Sequence, residues 1–495
     1  MAGLAVMLLF ELPTAQGAAA PEADVKSAMV KVYAASRAPD YDAPWSPGFT
    51  EGGVGSGFLI GEGRVLTNAH VVSNAVYVEV RLSGSAERVQ ARVEYISHAA
   101  DLALLAVEDE GFASGVSPLE LGGLPRAGEE VIAYGFPTGG DSLSVTRGIV
   151  SRVEHQEYVH SGRTLLAVQV DAAVNPGNSG GPALIEGRVA GVAMQGIGNA
   201  DNISYLVPVT RIAHFLKDVA DGELEGIPHL GIRIQSADNP DMRQRYRVPE
   251  GRGGVRVRAV YPGTTAHGLL EVGDVLLSVG AHEVAPDGTT TFRAGERTSF
   301  VHLLQLQQAG TQIDLQVLRA GEVLDLHAML RTDASMGRLV PEREFTLRPR
   351  YYIYGGLVFQ PLTLNYLETW GSEWPTDAPA ELTRLVDRPA ARPGEEVIIL
   401  QTVLAAAVNT GYQDAADLIV ETVDGRRPLN LAELVALIEG DGEGFAILGC
   451  ERGIEIALDR RGVAAAHAEV LARYGIDADR WLGSQDEEAP AQPRR

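Results

Sequence analysis

The chain has 495 residues, one cysteine (Cys450) and a formal charge of −24 at neutral pH. That length calls for several hydrophobic cores, roughly two to four domains. The negative charge argues against a nucleic-acid surface, and the lone cysteine excludes an internal disulfide or a cysteine-built zinc site.

At the N-terminus, residues 2–10 are apolar but too few to span a bilayer, and the run Leu12-Pro13-Thr14-Ala15-Gln16-Gly17 has the small residues of a cleavage site. Residues 1–17 are expected to be a signal segment, although a positive start is missing, and the mature chain is expected in the periplasm or another exported compartment. Next, Gly55-Ser56-Gly57-Phe58-Leu59-Ile60 and residues 64–72 read as strand, turn, strand and a short helical turn carrying His70. In residues 98–105, Asp101 opens an alternating apolar strand. His155 and His160 flank a hairpin-like loop without the spacing of a metal site.

The densest signal is Val174-Asn175-Pro176-Gly177-Asn178-Ser179-Gly180-Gly181-Pro182. Glycines on both sides of a serine let the backbone take positive φ and bring its N–H groups close to a bound carbonyl. Acyl transfer needs that arrangement, with a hydroxyl to attack and backbone donors to hold the oxyanion. It also needs a base and a carboxylate that fixes the base's tautomer. His70 and Asp101 supply both types, in the order His, Asp, Ser. The nucleophile elbow of α/β-hydrolases, which Gly177-Asn178-Ser179-Gly180-Gly181 also satisfies, is excluded. Its partners follow the serine and its turn runs into a helix.

The motifs around His70, Asp101 and Ser179 resemble the three active-site motifs of HtrA/Deg serine proteases, over residues 50–215. The resemblance implies a mainly β chain with α+β modules, its protease domain a chymotrypsin-like double β-barrel. His70 would be the general base, Asp101 its orienter and Ser179 the nucleophile. The backbone of Gly177 and Ser179 would form the oxyanion hole, with Asn178 on the turn between them. Ala173 stands about where trypsin-like proteins that select basic residues carry a carboxylate, so cleavage after small or medium apolar residues is expected. Ile203, Ser204 and Tyr205 would flank the specificity pocket, and residues 134–141 resemble the family's activation loop.

Further along, residues 228–319 run through strands, a small-residue turn and a short amphipathic helix near Phe300 to a final strand ending at Arg319. This order resembles a PDZ domain, in which Leu230, Gly231 and Ile232 would be the carboxylate-binding loop for a C-terminal peptide. Residues 416–449 echo the hairpin, helix and strand, with helical apolar spacing from Leu431 to Ile438. With Tyr351-Tyr352-Ile353-Tyr354-Gly355-Gly356, they resemble the degenerate second PDZ domain of plant-type Deg proteases. The expected domains are a protease at 18–222, a PDZ domain at 223–335, a divergent PDZ-like domain at 336–484 and a disordered tail at 485–495.

The implied activity is ATP-independent cleavage of unfolded or damaged polypeptides by a homotrimer or a multiple of trimers, with no metal or organic cofactor. The alternative is a peptide-binding chaperone or scaffold whose protease site is dormant.

Overall fold

A computed structural model describes residues 21–483 except 62, 138–139, 197–202, 333–336 and 441–443. The expected signal segment and C-terminal tail lie outside the described residues, as do Thr138 and Gly139 of the expected activation loop. The chain divides into two compact units. One holds the chain up to Ser36 and Glu51–Ile227; the other holds Arg37–Thr50 and the chain from Pro228 onward.

The first unit is two closed barrels. Strands β1 (Met29–Arg37), β2 (Thr50–Gly61), β3 (Arg64–Thr67), β4 (Ala75–Leu82), β5 (Val89–Ser97) and β6 (Leu102–Val107) close in the order β1-β2-β3-β6-β5-β4. Strands β7 (Glu130–Gly135), β8 (Ser144–Glu157), β9 (Thr164–Val170), β10 (Pro182–Ile185), β11 (Arg188–Gly196) and β12 (Ser204–Pro208) close in the order β10-β11-β12-β9-β8-β7. Closure leaves no unpaired strand edge among the described residues of either barrel. The expected double β-barrel is therefore present.

Register sets the site. β3 pairs antiparallel with β6 so that Thr67 faces Ala103, which brings the residues just after β3 beside those just before β6. β6 departs from its expected alternation, because Leu102 to Leu105 are all buried. One apolar cluster covers both faces, running from Phe58, Leu66 and Leu104 to Leu119, Tyr158 and Met194. At roughly 1.5–3 kcal/mol per fully buried large apolar side chain, this cluster anchors the loops that carry His70, Asp101 and Ser179.

In the second unit, five strands pair in the order Ile232–Gln235, Val255–Val260, Val275–Val279, Gln312–Arg319 and Glu322–Met329 around a core with Phe300 and Leu304. The strand expected to be last is followed by Glu322–Met329, paired with it along its whole length. In that edge strand Val323-Leu324 and Ala328-Met329 are adjacent apolar pairs, which interrupts the period of two. A second sheet of seven strands includes Tyr351–Tyr354, Leu357–Pro361, Ile398–Val403, Leu418–Val423 and Phe445–Cys450. The helix Leu431–Glu439 packs its buried Leu431, Leu434, Val435 and Ile438 into that sheet's core, and Asn430 caps it by accepting from the Glu433 N–H.

Arg37–Thr50, which joins β1 to β2, packs in this second unit. Tyr41 is buried among Leu362, Tyr366, Leu367 and Leu382. The buried amides of Gln360 and Gln401 donate to the carbonyls of Tyr41 and Asp42 at 2.9 and 2.8 Å, and the Trp45 ring meets Tyr351 edge-on.

Candidate active site

Asp101 follows a turn in which its N–H donates to the His98 carbonyl, and it is held at φ +53°, a left-handed conformation uncommon for a residue other than glycine. Three bonds account for that conformation. The Asp101 carboxylate accepts from the His70 backbone N–H at 2.9 Å and lies 2.8 Å from His70 Nδ1, while its carbonyl accepts from Asn68 Nδ2 at 2.8 Å. The carboxylate is 1% exposed, the His70 side chain 31%. A carboxylate partner requires Nδ1 to carry the proton, which leaves Nε2 as the open acceptor. Burial disfavours the imidazolium, but the charge and hydrogen bond of Asp101 outweigh it and lift His70 above its ordinary value.

The Ser179 turn lies against the strands that lead to His70. Gly55 separates Val71 from the Ser179 carbonyl so closely that a Cβ there would come within 2.5 Å of Val71. Gly180, at φ +86°, leaves 2.0 Å between such a Cβ and the Ser56 carbonyl. These close approaches are why the turn needs glycine. The Ser179 hydroxyl donates to the Met194 carbonyl at 3.3 Å, and it has no hydrogen bond to His70 among the described residues.

The three expected oxyanion residues divide. Asn178 donates its backbone N–H to the Asn175 carbonyl at 2.9 Å, so that donor is taken. Among the described residues, neither Gly177 nor Ser179 donates its N–H to another backbone carbonyl of the turn. Gly177 is held from behind by a residue that sequence reading left as plain strand. Ser56 Oγ donates to the Gly177 carbonyl at 2.7 Å and accepts from the Phe136 N–H at 2.9 Å. One buried hydroxyl thereby ties β2, the Ser179 turn and the end of β7 together. Thr67 Oγ1 supports the same place by donating to the Ser56 carbonyl at 2.7 Å.

Around the expected pocket, Ala173 is exposed, and its carbonyl accepts from Thr146 Oγ1 at 3.3 Å. Ser204 is buried and accepts from the Val174 N–H at 3.2 Å, which fixes the start of the Ser179 segment. Tyr205 is buried with its hydroxyl 3.4 Å from Glu154, and Ile203 packs partly buried against the main cluster. Asp171 turns to the Ile149 N–H at 2.6 Å, so its charge serves the backbone of β8. In the residues expected to form the activation loop, Asp141 is gripped by Lys31 Nζ at 3.3 Å and Arg81 Nη2 at 3.0 Å, with Gly140 O 3.0 Å from Lys31. Those two cations lower the Asp141 carboxyl below its usual range.

In the second unit, Leu230 is buried, Gly231 O accepts from the Tyr261 N–H at 2.9 Å, and Ile232 begins a strand. Among the described residues no cluster of three or more His, Cys, Asp or Glu side chains could hold a metal ion, and no helix is long and apolar enough to cross a membrane.

Residues 55–192 match the trypsin-like peptidase domain family and residues 340–483 match a PDZ domain family. Over 468 residues the chain is 37% identical to Protease Do-like 2, chloroplastic, of Arabidopsis thaliana, covering 93% of this chain and 75% of that one. It is 37% identical over 414 residues to Protease Do-like 4, mitochondrial, of the same plant, covering 83% and 77%. Among solved structures, the HtrA-type protease AlgW with tripeptide matches with a TM-score of 0.50 at 24% identity, over 63% of this chain and 97% of that one. That likeness is one of fold.

Proposed function

Because the chain belongs to the Do-like family of serine proteases, and is therefore a serine endopeptidase, we propose that it cleaves unfolded or damaged polypeptides through Ser179, His70 and Asp101 without using ATP. One observation carries the assignment of roles. A buried carboxylate holds His70 Nδ1 at 2.8 Å beside a glycine-bracketed serine turn. His70 Nε2 takes the Ser179 proton as the hydroxyl attacks the scissile carbonyl, and later returns it to the leaving amine. Asp101 keeps its charge and stabilises the imidazolium. The N–H groups of Gly177 and Ser179 hold the oxyanion, with Ser56 setting the angle of Gly177 from behind. An unfolded chain reaches this cleft in extended form, which a folded domain does not offer.

Ser179→Ala should lower turnover of unfolded casein by about 10⁴-fold or more. Turnover that survives the substitution would refute the role of Ser179. A second reading, a site dormant until substrate orders it, is supported by the Ser179 hydroxyl donating to Met194. Suppression of aggregation by Ser179→Ala would show polypeptide binding without cleavage. Trimeric assembly, capture of C-terminal peptides by the Leu230–Ile232 loop and an exported compartment complete the reading. Sedimentation, peptide titration and cell fractionation test them in turn.

A further inference from the structure

Charge is unevenly spread along this acidic chain. Against a total of −24, residues 243–258 carry Arg243, Arg245, Arg247, Arg252, Arg256 and Arg258 with a single acid, Glu250. Folding places two of these, Arg243 and Arg252, on the wall of a cavity of about 690 Å³ in the second unit. Arg243 lies on the helix Pro240–Arg245, and Arg252 on the connection from that helix to the strand Val255–Val260. His282 and Glu283, which pair back on the strand Val275–Val279, line the same cavity. So does Arg297, on the hairpin made by Thr289–Arg293 and Glu296–Ser299. None of Leu230, Gly231 and Ile232 lines it, so the cavity is separate from the expected carboxylate loop.

The three guanidinium groups are fixed mainly by neutral oxygens. Arg243 donates through Nη2 to the Arg252 carbonyl, and its Nη1 is buried with no hydrogen-bond partner among the described residues. Arg297 donates from Nε to Thr289 Oγ1 at 2.8 Å and from Nη2 to the Thr289 carbonyl at 3.1 Å. Arg252 donates from Nη2 to Gln316 Oε1 at 2.5 Å, and its Nε is 3.5 Å from Glu283. Among the described residues neither Arg243 nor Arg297 is paired with a carboxylate. The acids nearby are turned to other donors. Asp238 accepts from Ser236 Oγ, and Asp287 accepts from the Thr289 N–H and Oγ1 at 2.8 Å each. The Glu283 side chain is 68% exposed and has only the long contact to Arg252. Guanidinium groups placed by carbonyls and hydroxyls keep their charge for a further partner, and partial burial makes that partner worth more.

We propose that this cavity is a binding site for a small phosphate-bearing molecule. Its volume lies in the range that holds a small ligand. A carboxylate is planar and is satisfied by one guanidinium fork, whereas phosphate oxygens point in several directions and take donors from separate elements. Here the donors stand on a helix, a loop and a hairpin. A phosphate group supplies the counter-charge that Arg243 and Arg297 lack, and Glu283 opposes it. The site is independent of the roles given to Ser179 and His70.

Isothermal titration of the full-length protein with pyrophosphate tests this. Wild type should bind with a Kd on the order of 10⁻⁵ M at low salt, the scale of two or three charge-assisted bonds. Arg243→Gln and Arg297→Gln should each weaken binding about tenfold or more. Glu283→Gln should tighten it about three- to tenfold, a gain that a variant with a damaged fold would not give. Citrate, with comparable charge on planar carboxylates, should bind at least about fivefold more weakly than pyrophosphate. Absence of saturable binding to wild type, an affinity unchanged in both arginine variants, or no tightening in Glu283→Gln overturns the site. Citrate bound as tightly as pyrophosphate overturns the phosphate class.

Discussion

The two barrels contribute to the site in different states of readiness. The first holds the proposed proton-handling pair, His70 and Asp101, already in contact. Asp101 is buried, bonded to His70 and Asn68, and held in a left-handed conformation at the end of the His98 turn. The second holds the proposed nucleophile, Ser179, on a glycine turn whose hydroxyl points to Met194 and which is tied to Ser56 of the first barrel as well as to Ala193 and Ser204 of its own. Proton transfer needs a fixed tautomer and a desolvated charge, which burial provides in advance. The oxyanion hole needs two N–H groups left unpaired until substrate arrives, and such groups are costly to hold rigid. The difference teaches that activation should be sought in the second barrel.

The strongest challenge to this contrast is Asp101→Asn. With the pair prebuilt, the variant should keep its fold and KM but lose about 10⁴-fold in kcat, because the wrong tautomer is held in the right place. A loss confined to KM would mean the pair is assembled only on binding. Next comes Gly180→Ala, which puts a Cβ against the Ser56 carbonyl at a positive φ. It should lower kcat/KM by about 10²-fold or more through the displaced oxyanion donors, and steady-state kinetics on one peptide would check it. Ser56→Ala should be milder, about tenfold in kcat, with about 1–2 kcal/mol lost from stability in urea unfolding, since it frees the Gly177 carbonyl and the Phe136 N–H.

The smallest effect sharpens the comparison through pH. His70 must be neutral to accept a proton, and its raised value means that kcat/KM for an uncharged peptide should rise with pH to a midpoint above that of a free imidazole. The His70–Asp101 pair stabilises the fold fully below the unfolded imidazole value, and that contribution fades as pH rises through the folded one. Activity gained and stability lost should share one pH window, measurable by pairing rate profiles with urea midpoints of wild type and Asp101→Asn. Separate windows would show that another group governs the rate.

Much of this was legible in the chain because catalysis restricts residue type. His70, Asp101 and the glycines around Ser179 stand out for chemical reasons, whereas the expected alternation of β6 gave way because both of its faces are covered. Ser56 did not stand out: a small polar residue between glycines in a strand has no pattern until the Gly177 carbonyl is seen above it. The bond of Asp171 to the Ile149 N–H depends on a pairing far away in sequence. His98 and His160 are separated by an entire barrel strand order, so only folding reveals their contact. The Glu322–Met329 strand was hidden because it is an edge strand in which apolar residues fall on the exposed face as well, Val323 and Met329 among them, which blurs its alternation.

Tyr41 and Trp45 show that neighbours in sequence need not share a core. By position they belong to a connection within the first barrel, yet their rings fill the core of the other unit. Cutting the chain after Ile227 would thus not free a self-contained barrel pair; it would strip two aromatic rings of their surroundings and take from the buried Gln360 and Gln401 amides the carbonyls of Tyr41 and Asp42. Tyr41→Ala should then cost about 3–5 kcal/mol in the unit that lies hundreds of residues downstream. The molecule is stitched, and a single severed thread at residues 37–50 would be felt at both ends of the chain.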